Sequence, residues 1–258
     1  EAHMNTLKKT LAVTSLVLTL PIIATTAQAF ETSANVTLTT DYKFRGISQT
    51  DTSPAVQGGF DIAFDSGFYV GTWGSNVDFA KSLELDYYGG YAGDLTESLS
   101  FDVGVLYYDY PGTKGVTIVD DGTLEDRDDD YAEVYGSLSF GDATLGFAYS
   151  DDYYLESGEF WYVYGDYSFS LPYDISLGLH YGYNSFDVDS NDSNAKDADS
   201  AFLSNGEDSY SDYSITLGKS YYGLDFALSW IDTDLDKEDY FGSSAVESSV
   251  VFSVSKSL

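Results

Sequence analysis

Charged side chains recur at every second position in several short stretches of the sequence. Asp41, Lys43 and Arg45 follow this spacing, and so do Glu84 and Asp86. In a β-strand, residues two apart lie on the same face, so each stretch would present its charges side by side. Carboxylates on a channel wall attract cations and repel anions. The spacing therefore allows two interpretations. The acids make a water-filled lumen selective for cations, or they only keep the wall of that lumen solvated.

The sequence offers few residues for catalysis. It has no cysteine, and its two histidines are His3 and His180. An outer-membrane phospholipase displays serine and histidine toward lipid, whereas His180 shares the strand face of Ser176 and Asn184 and points inward. The sequence has no phosphate-binding glycine loop, Cys/His metal cluster or nucleophile elbow. We therefore expect no enzyme, with no catalytic residues, no metal-binding residues and no cofactor.

Further acids cluster where loops are expected. Carboxylates can bind divalent cations, but a run of acids is more often a solvated segment. The stretch DVDSND (residues 187–192) begins like a calcium-binding loop, yet it lacks Gly at the sixth position and Glu at the twelfth. A second group of acids lies in an earlier loop, and we interpret these side chains as solvated rather than as cation ligands. They are Asp120, Asp121, Glu125, Asp126, Asp128, Asp129 and Asp130.

The N-terminal segment has the pattern of a secretory signal peptide. After Met4 come Lys8 and Lys9, an apolar run over residues 11–23, and the small-residue motif at 27–29. Residues 1–3 are interpreted as a cloning remnant, residues 4–29 as the signal peptide, and residues 30–258 as one domain. No second apolar run follows, so a helical inner-membrane protein is not expected.

Composition narrows the class of protein further. The formal net charge is −32, which argues against nucleic acid as a partner, because binding a phosphate backbone needs clustered Lys and Arg. The chain also has 24 Tyr and 16 Phe. Acidic disordered segments are normally poor in aromatic residues, so these rings must be buried or anchored.

Alternating polar and apolar residues predict twelve strands. None of these segments has the 3.6-residue spacing of apolar residues that is typical of an amphipathic helix. In the first of them, Ala34, Val36, Leu38, Tyr42 and Phe44 form the apolar face. The predicted strands cover residues 33–45, 55–65, 67–79, 83–93, 98–110, 130–140, 142–153, 158–169, 173–185, 210–219, 221–232 and 245–257. Their length suits membrane-crossing β-strands.

The connections between these strands alternate in length. The even-numbered connections are tight turns, and all the odd-numbered ones except the third are longer loops. Short turns at one rim and long loops at the other are typical of an outer-membrane barrel, whereas a secreted β-sandwich has no reason to sort its loops in this way. We therefore predict an all-β fold: a 12-stranded antiparallel up-and-down transmembrane barrel.

In this fold the apolar face of each strand contacts lipid, and the alternate face lines the lumen. Segments such as FWYVYGDY (residues 160–167) are interpreted as aromatic girdles at the membrane interfaces. Twelve strands leave either a narrow pore or a lumen filled by side chains such as Tyr108, Tyr131, Tyr162 and Tyr164. The predicted pore-lining residues are Asp41, Lys43, Arg45, Asp61, Asp65, Glu84, Asp86, Asp102, Glu133, Asp166, Asp174, His180, Asp225 and Glu247.

Residues 41–79 resemble the TorF-like family of conserved hypothetical outer-membrane proteins, which are described as porins. The matching motifs are YKFRGISQ, PAVQGGFD and SGFYVGTWGSNVDF, followed by LELDYYGGY. The resemblance is specific over the first four predicted strands. Beyond Leu95 only the chain length and the general pattern of residues are similar. It implies an outer-membrane barrel for passive movement of small solutes and brings no established functional residues.

The sequence thus predicts a porin-like channel in a bacterial outer membrane, with weak cation selectivity. Lys43 and Arg45 are expected to face carboxylates at a constriction near the outer rim. The expected partners are the lipid bilayer with its lipopolysaccharide and small hydrophilic solutes or cations. The alternative is a plugged structural or adhesive barrel that acts through its acidic loops.

Overall fold

The computed structural model describes residues 30–79, 83–112, 116–120, 123–186 and 202–258. The predicted cloning remnant and signal peptide lie outside these residues, as does the DVDSND stretch. Parts of the long acidic loops, residues 113–115, 121–122 and 187–201, also lie outside them.

Sixteen strands and two short 3-10 turns, Lys237–Tyr240 and Ser244–Val246, are assigned in the described residues. The strands are β1 (Phe30–Thr39), β2 (Lys43–Phe44), β3 (Ile47–Ser48), β4 (Ala55–Phe64), β5 (Phe68–Ser75), β6 (Glu84–Asp94), β7 (Leu99–Asp109), β8 (Val116–Asp120), β9 (Thr123–Arg127), β10 (Tyr131–Phe140), β11 (Ala143–Ser150), β12 (Phe160–Leu171), β13 (Ile175–Phe186), β14 (Ser209–Tyr221), β15 (Leu224–Thr233) and β16 (Ser249–Ser257).

Twelve of these strands form a closed antiparallel barrel, in the order β1-β16-β15-β14-β13-β12-β11-β10-β7-β6-β5-β4. β1 closes it by pairing with β16 through Leu38 and Val254, and with β4 through Ser33 and Asp61. Closure pairs the backbone groups that an open edge would expose to lipid. The predicted fold class is therefore confirmed.

The first strand differs from its prediction. The alternation was expected to continue to Arg45, but β1 ends at Thr39. The chain then turns, and two small antiparallel pairs, β2 with β3 and β8 with β9, lie apart from the barrel sheet.

The two rims of the barrel differ as the loop lengths predict. Tight turns at residues 65–67, 95–98, 141–142, 172–174 and 222–223 share one end, called here the short-turn rim. The strand ends that flank the other connections lie at the opposite end, called here the long-loop rim; these connections are residues 40–54, 76–83, 110–130, 151–159, 187–208 and 234–248.

The outer face of the barrel is apolar. Leu38, Leu145 and Val250 expose 59%, 70% and 64% of their surface. A soluble domain would bury such a continuous set of large apolar side chains in its core. Charged residues of the strands lie mainly on the alternate face. The exposed belt is therefore the lipid-contacting surface. The part of the chain that the structure describes contains no helix with the length and hydropathy of a membrane span.

Candidate functional site

A hairpin from the long-loop rim folds back into the barrel. β2 and β3 pair through Lys43 with Ser48 and through Phe44 with Ile47. Arg45 and Gly46 make the two-residue turn between them, with φ angles of 47° and 81°. Two consecutive positive φ angles are typical of tight β-hairpins. We call residues 43–48 the lumen hairpin.

The lumen hairpin corrects one expectation from the sequence. Tyr42 and Phe44 were assigned to the lipid face, but Tyr42 is buried and Phe44 packs against the buried core. The two-residue periodicity continues through the segment because a hairpin strand alternates just as a barrel strand does. A Cβ atom at Gly46 would clash with Thr233 and lie 2.9 Å from Asp212 Cβ, which shows how closely the tip approaches the wall.

Polar contacts hold the base of the hairpin. Asp41 Oδ1 accepts hydrogen bonds from Ser48 Oγ at 2.6 Å and Thr50 Oγ1 at 3.0 Å. The Tyr42 hydroxyl donates to Glu84 Oε1 on β6 at 2.7 Å. These bonds join the segment both to itself and to the barrel.

Arg45 connects the hairpin tip to the barrel wall. Its Nη1 and Nη2 donate to Glu133 Oε1 and Oε2 at 2.7 Å and 2.8 Å. The guanidinium also lies 4.5–4.7 Å from the ring centroids of Phe44, Phe160 and Tyr162. Both charged side chains are almost fully buried. A bidentate, desolvated pair with cation–π contacts is a specific anchor.

Lys43 makes a second connection. Its ammonium donates to the carbonyl oxygens of Ala245 at 2.9 Å and Glu247 at 2.8 Å. Burial lowers the pKa of Lys43 from its ordinary value, and the charges of Asp41, Asp232 and Glu247 oppose that shift. The hairpin and its base are thus bonded to β6, to β10 and to the loop before β16.

Aromatic residues fill the lumen around the hairpin tip. Tyr108 stacks on Tyr131 with ring centroids 4.3 Å apart, and Tyr153 stacks on Phe160 at 4.1 Å. Part of the predicted aromatic girdle therefore points inward, while Trp161 and Tyr167 face outward as predicted. The buried cluster comprises Ile47, Tyr108, Tyr110, Tyr131, Ala148, Tyr153, Phe160, Tyr162, Phe186, Leu203, Tyr210, Ala245 and Val246.

Tyrosine hydroxyls bind several of the inward carboxylates. Each of these pairs joins two strands or a strand and the hairpin base, so the acids are fixed in position rather than mobile. The pairs are Tyr42 with Glu84, Tyr69 with Asp102 at 2.6 Å, Tyr88 with Asp61 at 2.5 Å and Tyr108 with Glu133 at 3.1 Å.

His180 lies between two carboxylates in the lumen. Its Nδ1 is 2.7 Å from Asp166 Oδ1, and its Nε2 is 3.0 Å from Asp212 Oδ1. Asn184 donates to Asp212 Oδ2 at 2.9 Å, and the Tyr162 hydroxyl is 2.9 Å from His180 Nε2. Asp212 was missing from the predicted pore-lining set, although it shares the phase of Tyr210 and Ser214 on a predicted strand.

The structure places the predicted pore-lining residues in three groups. On the inward strand faces lie Asp61, Glu84, Asp86, Asp102, Glu133, Asp166, His180 and Asp225. Lys43 and Arg45 lie in the lumen hairpin, and Asp41 lies at its base. Three others are exposed: Asp65 and Asp174 lie in turns of the short-turn rim, and Glu247 lies in a loop, where it pairs with Lys237 at 2.9 Å.

The lumen has two unlike halves. Toward the long-loop rim, the hairpin and the aromatic cluster bury almost every inward side chain. Toward the short-turn rim, most inward side chains are polar and partly exposed. Hydroxyl pairs such as Thr37 with Ser255 at 2.9 Å and Thr216 with Ser229 at 2.8 Å line this half.

Among the loop acids, Asp128, Asp129 and Asp130 bring one carboxylate oxygen each within 4.8 Å of the others. Asp130 also caps the end of β7, because its Oδ1 accepts a bond from the Tyr110 amide at 2.7 Å. That bond gives one of these acids a structural role in the loop.

The closed barrel with its apolar belt defines an outer-membrane β-barrel. The model of the Gcw_chp family, described as a bacterial protein of unknown function, matches residues 23–258, so the chain belongs to that family. The TorF-like name is not that of the matching family, so that resemblance stays a prediction. No curated protein matches the chain.

Solved porins share the fold. The chain is similar to the NanC porin in its rhombohedral crystal form, with a TM-score of 0.51, 11% identity, and coverage of 87% of this chain and 98% of that one. It is also similar to the KdgM porin in complex with disordered oligogalacturonate, with a TM-score of 0.51, 8% identity, and coverage of 87% and 97%. At these identities the likeness shows the fold alone.

Proposed function

We propose that the protein is a porin-like channel for passive diffusion of small hydrophilic solutes, with a weak preference for cations. The observation that carries the proposal is the polar inward face of the short-turn half. Polar groups at membrane depth are stable only where they are paired within protein or line water. The resemblance of residues 41–79 to TorF-like proteins agrees with this function.

The lumen hairpin is the constriction of this channel. Arg45 at its tip bonds to Glu133, and Tyr42 at its base bonds to Glu84, at the level where the aromatic cluster narrows the lumen. A solute must pass this layer, so the conducting cross-section depends on how far the hairpin and the rings move apart. By the usual orientation of outer-membrane barrels, the layer lies on the side of the cell exterior and lipopolysaccharide.

The charge of the wall supports the cation preference. In the short-turn half, Asp102 and Asp225 present partly exposed carboxylates to the lumen. Asp61 and Asp166 also lie on inward strand faces, where they are buried and bonded to Tyr88 and His180. Such a wall repels polyanions, so the oligogalacturonate of the KdgM complex is not the solute class expected here.

A planar bilayer experiment tests both parts of the proposal. The wild type should give channel steps, and a salt gradient should give a reversal potential of the sign for cation permeation. Replacing residues 43–48 by two glycines should enlarge the conductance of each step. Preference for anions would contradict the selectivity, and equal conductance of both proteins would contradict the role of the hairpin.

The dense aromatic layer also favours a second candidate, a plugged structural barrel. In that case neither the wild type nor a point variant that preserves the hairpin would conduct. Complete absence of channel steps from folded protein, together with steps from the hairpin-replaced variant, would favour the plugged barrel.

A further inference from the structure

Three partly exposed tyrosines of the inner barrel wall lie across glycines of the neighbouring strands. Tyr69 of β5 lies over Gly90 of β6, and Tyr135 of β10 lies over Gly104 of β7. A Cβ atom at either glycine would be 2.5 Å from the Cζ atom of the overlying tyrosine. The rings can therefore lie flat on the wall only because these positions carry no side chain.

The hydroxyls of two of these tyrosines meet above a pair of glycines. Gly90 and Gly104 are direct partners in the β6–β7 register. Above them, the Tyr69 and Tyr135 hydroxyl oxygens are 2.5 Å apart, and Tyr69 donates to Asp102 Oδ1 at 2.6 Å. The two rings are thus fixed end to end along four strands.

Tyr164 extends the same surface. It lies over Gly146 of β11, where a Cβ atom would be 2.6 Å from its Cε1 atom. Its ring stacks on Tyr162 with centroids 5.4 Å apart and a 23° angle between the planes. The three rings, Tyr69, Tyr135 and Tyr164, cover six adjacent strands from β5 to β12; we call them the tyrosine surface. All three are partly exposed.

The rest of the wall has a different chemistry. Across the lumen, hydroxyl pairs such as Thr37 with Ser255 and Thr216 with Ser229 present polar groups. Beside the tyrosines, the partly exposed carboxylate of Asp102 accepts a hydrogen bond from the Tyr69 hydroxyl and offers further acceptor positions to the lumen. One side of the lumen is therefore flat and aromatic, and the other donates and accepts hydrogen bonds.

We propose that the tyrosine surface binds neutral pyranose sugars as they enter the short-turn half of the lumen. A pyranose has one face of C–H groups and a rim of hydroxyls. The C–H face fits the electron-rich face of an aromatic ring, and the hydroxyls fit carboxylates and side-chain hydroxyls. Acidic sugars are excluded by the inward carboxylates.

The physiological role of this sugar site rests on the proposed channel function, but binding can be tested without measuring conduction. Binding of methyl β-glucopyranoside is measured by saturation-transfer NMR on the folded protein in a zwitterionic detergent that carries no sugar. We expect saturation of the sugar C–H face and none for glucuronate of the same size.

Variants of β12 test whether the Tyr164 ring itself binds the sugar. Replacing Tyr164 by Leu should weaken binding about tenfold, the loss expected for one stacked ring, and Tyr164→Phe should bind as the wild type. Tyr167→Leu is the matched control, because Tyr167 lies on the same strand and faces lipid. Resistance of each unheated barrel to SDS shows that it has folded.

The outcomes distinguish this inference from the proposed function. Equal binding of glucoside and glucuronate by the wild type, or unchanged glucoside binding by Tyr164→Leu, overturns the sugar site. If Tyr164→Leu does not fold, the same comparison is made with Tyr135→Leu and Tyr135→Phe. A wild type that binds glucoside but gives no bilayer conductance supports the site and contradicts the channel.

Discussion

Arg45 and Glu133 join the lumen hairpin to the barrel wall through two parallel hydrogen bonds of 2.7 Å and 2.8 Å. The pair is 88 residues apart in sequence and almost fully buried. Arg45 also has a φ angle of 47°, a conformation that costs free energy for a residue with a side chain. The ion pair and the surrounding rings must offset that cost.

Replacing Arg45 by Ala should release the hairpin tip. The variant leaves Glu133 buried without its cation, a change that costs about 3–5 kcal/mol when a buried pair is broken. We expect the hairpin to leave the lumen and the single-channel conductance to exceed that of the wild type. Lys256→Ala is the control, because Lys256 bonds to the Gly223 carbonyl at the opposite rim. Conductance equal to that of the control would show that Arg45 does not hold the constriction.

Neutralising an inward acid should reduce the preference for cations. Asp102→Asn keeps the size of the side chain and an acceptor for the Tyr69 hydroxyl, but it removes one charge from the wall. The reversal potential in a salt gradient should therefore move toward zero. Asp65→Asn removes the same charge from an exposed turn and should have a smaller effect. Equal shifts for the two variants would mean that total charge, not its position, sets the selectivity.

The barrel itself could be predicted from the sequence because the lipid imposes a simple rule. Every strand must face hydrocarbon on alternate residues, so the phase of residues such as Leu138 and Leu145 is visible without any tertiary information. Closure requires an even number of such strands in bacterial barrels, and the loop lengths assign the rims. No comparable rule acts on the interior.

The hairpin was missed because its strands obey the same alternation as the barrel. The available signal was Arg45-Gly46 between Phe44 and Ile47, a two-residue turn flanked by apolar residues. The partner of Arg45 could not have been found in this way. Several inward acids were candidates, and only the closed barrel shows that Glu133 is the one at the depth of the hairpin tip.

His180 should stabilise the barrel rather than catalyse a reaction. Its two nitrogens contact Asp166 and Asp212, so His180→Leu leaves two nearby carboxylates without their shared partner. A loss of about 3–5 kcal/mol is expected for breaking a buried charged network. The heat-induced change in gel mobility should therefore begin at a lower temperature. Joint replacement of both aspartates by Asn in the His180→Leu background should recover part of the loss.

The same variant tests the enzymatic alternative. Because His180 faces the lumen, the wild type should not hydrolyse phospholipid in mixed micelles, and His180→Leu should not differ from it. Hydrolysis by the wild type that is lost in the variant would contradict the channel as the main function.

A side chain at Gly146 should narrow the lumen. Val in that position meets the Tyr164 ring, which must swing away from the wall into the water-filled space. We expect a lower conductance and weaker glucoside binding. Gly141→Asn is the control, since no atom lies within 4 Å of its Cβ position and Asn tolerates its φ angle of 59°. Wild-type conductance in Gly146→Val would show that the Tyr164 ring does not border the solute path.

Neighbouring residues of β10 test the orientation of the whole barrel. Leu138 is half exposed on the outer face, and Ser137 lies on the inner face. Leu138→Arg places a charge in lipid and should destabilise the folded protein by about 2–4 kcal/mol, the cost of an arginine near the membrane midplane. Arg at position 137 enters water and should change the reversal potential more than the stability. Stability is measured by urea unfolding in lipid vesicles, and the reversal potential is measured across a planar bilayer in a salt gradient. If the two variants were equally stable, or if Ser137→Arg were the less stable, water and lipid could not lie on the sides that this structure assigns to them.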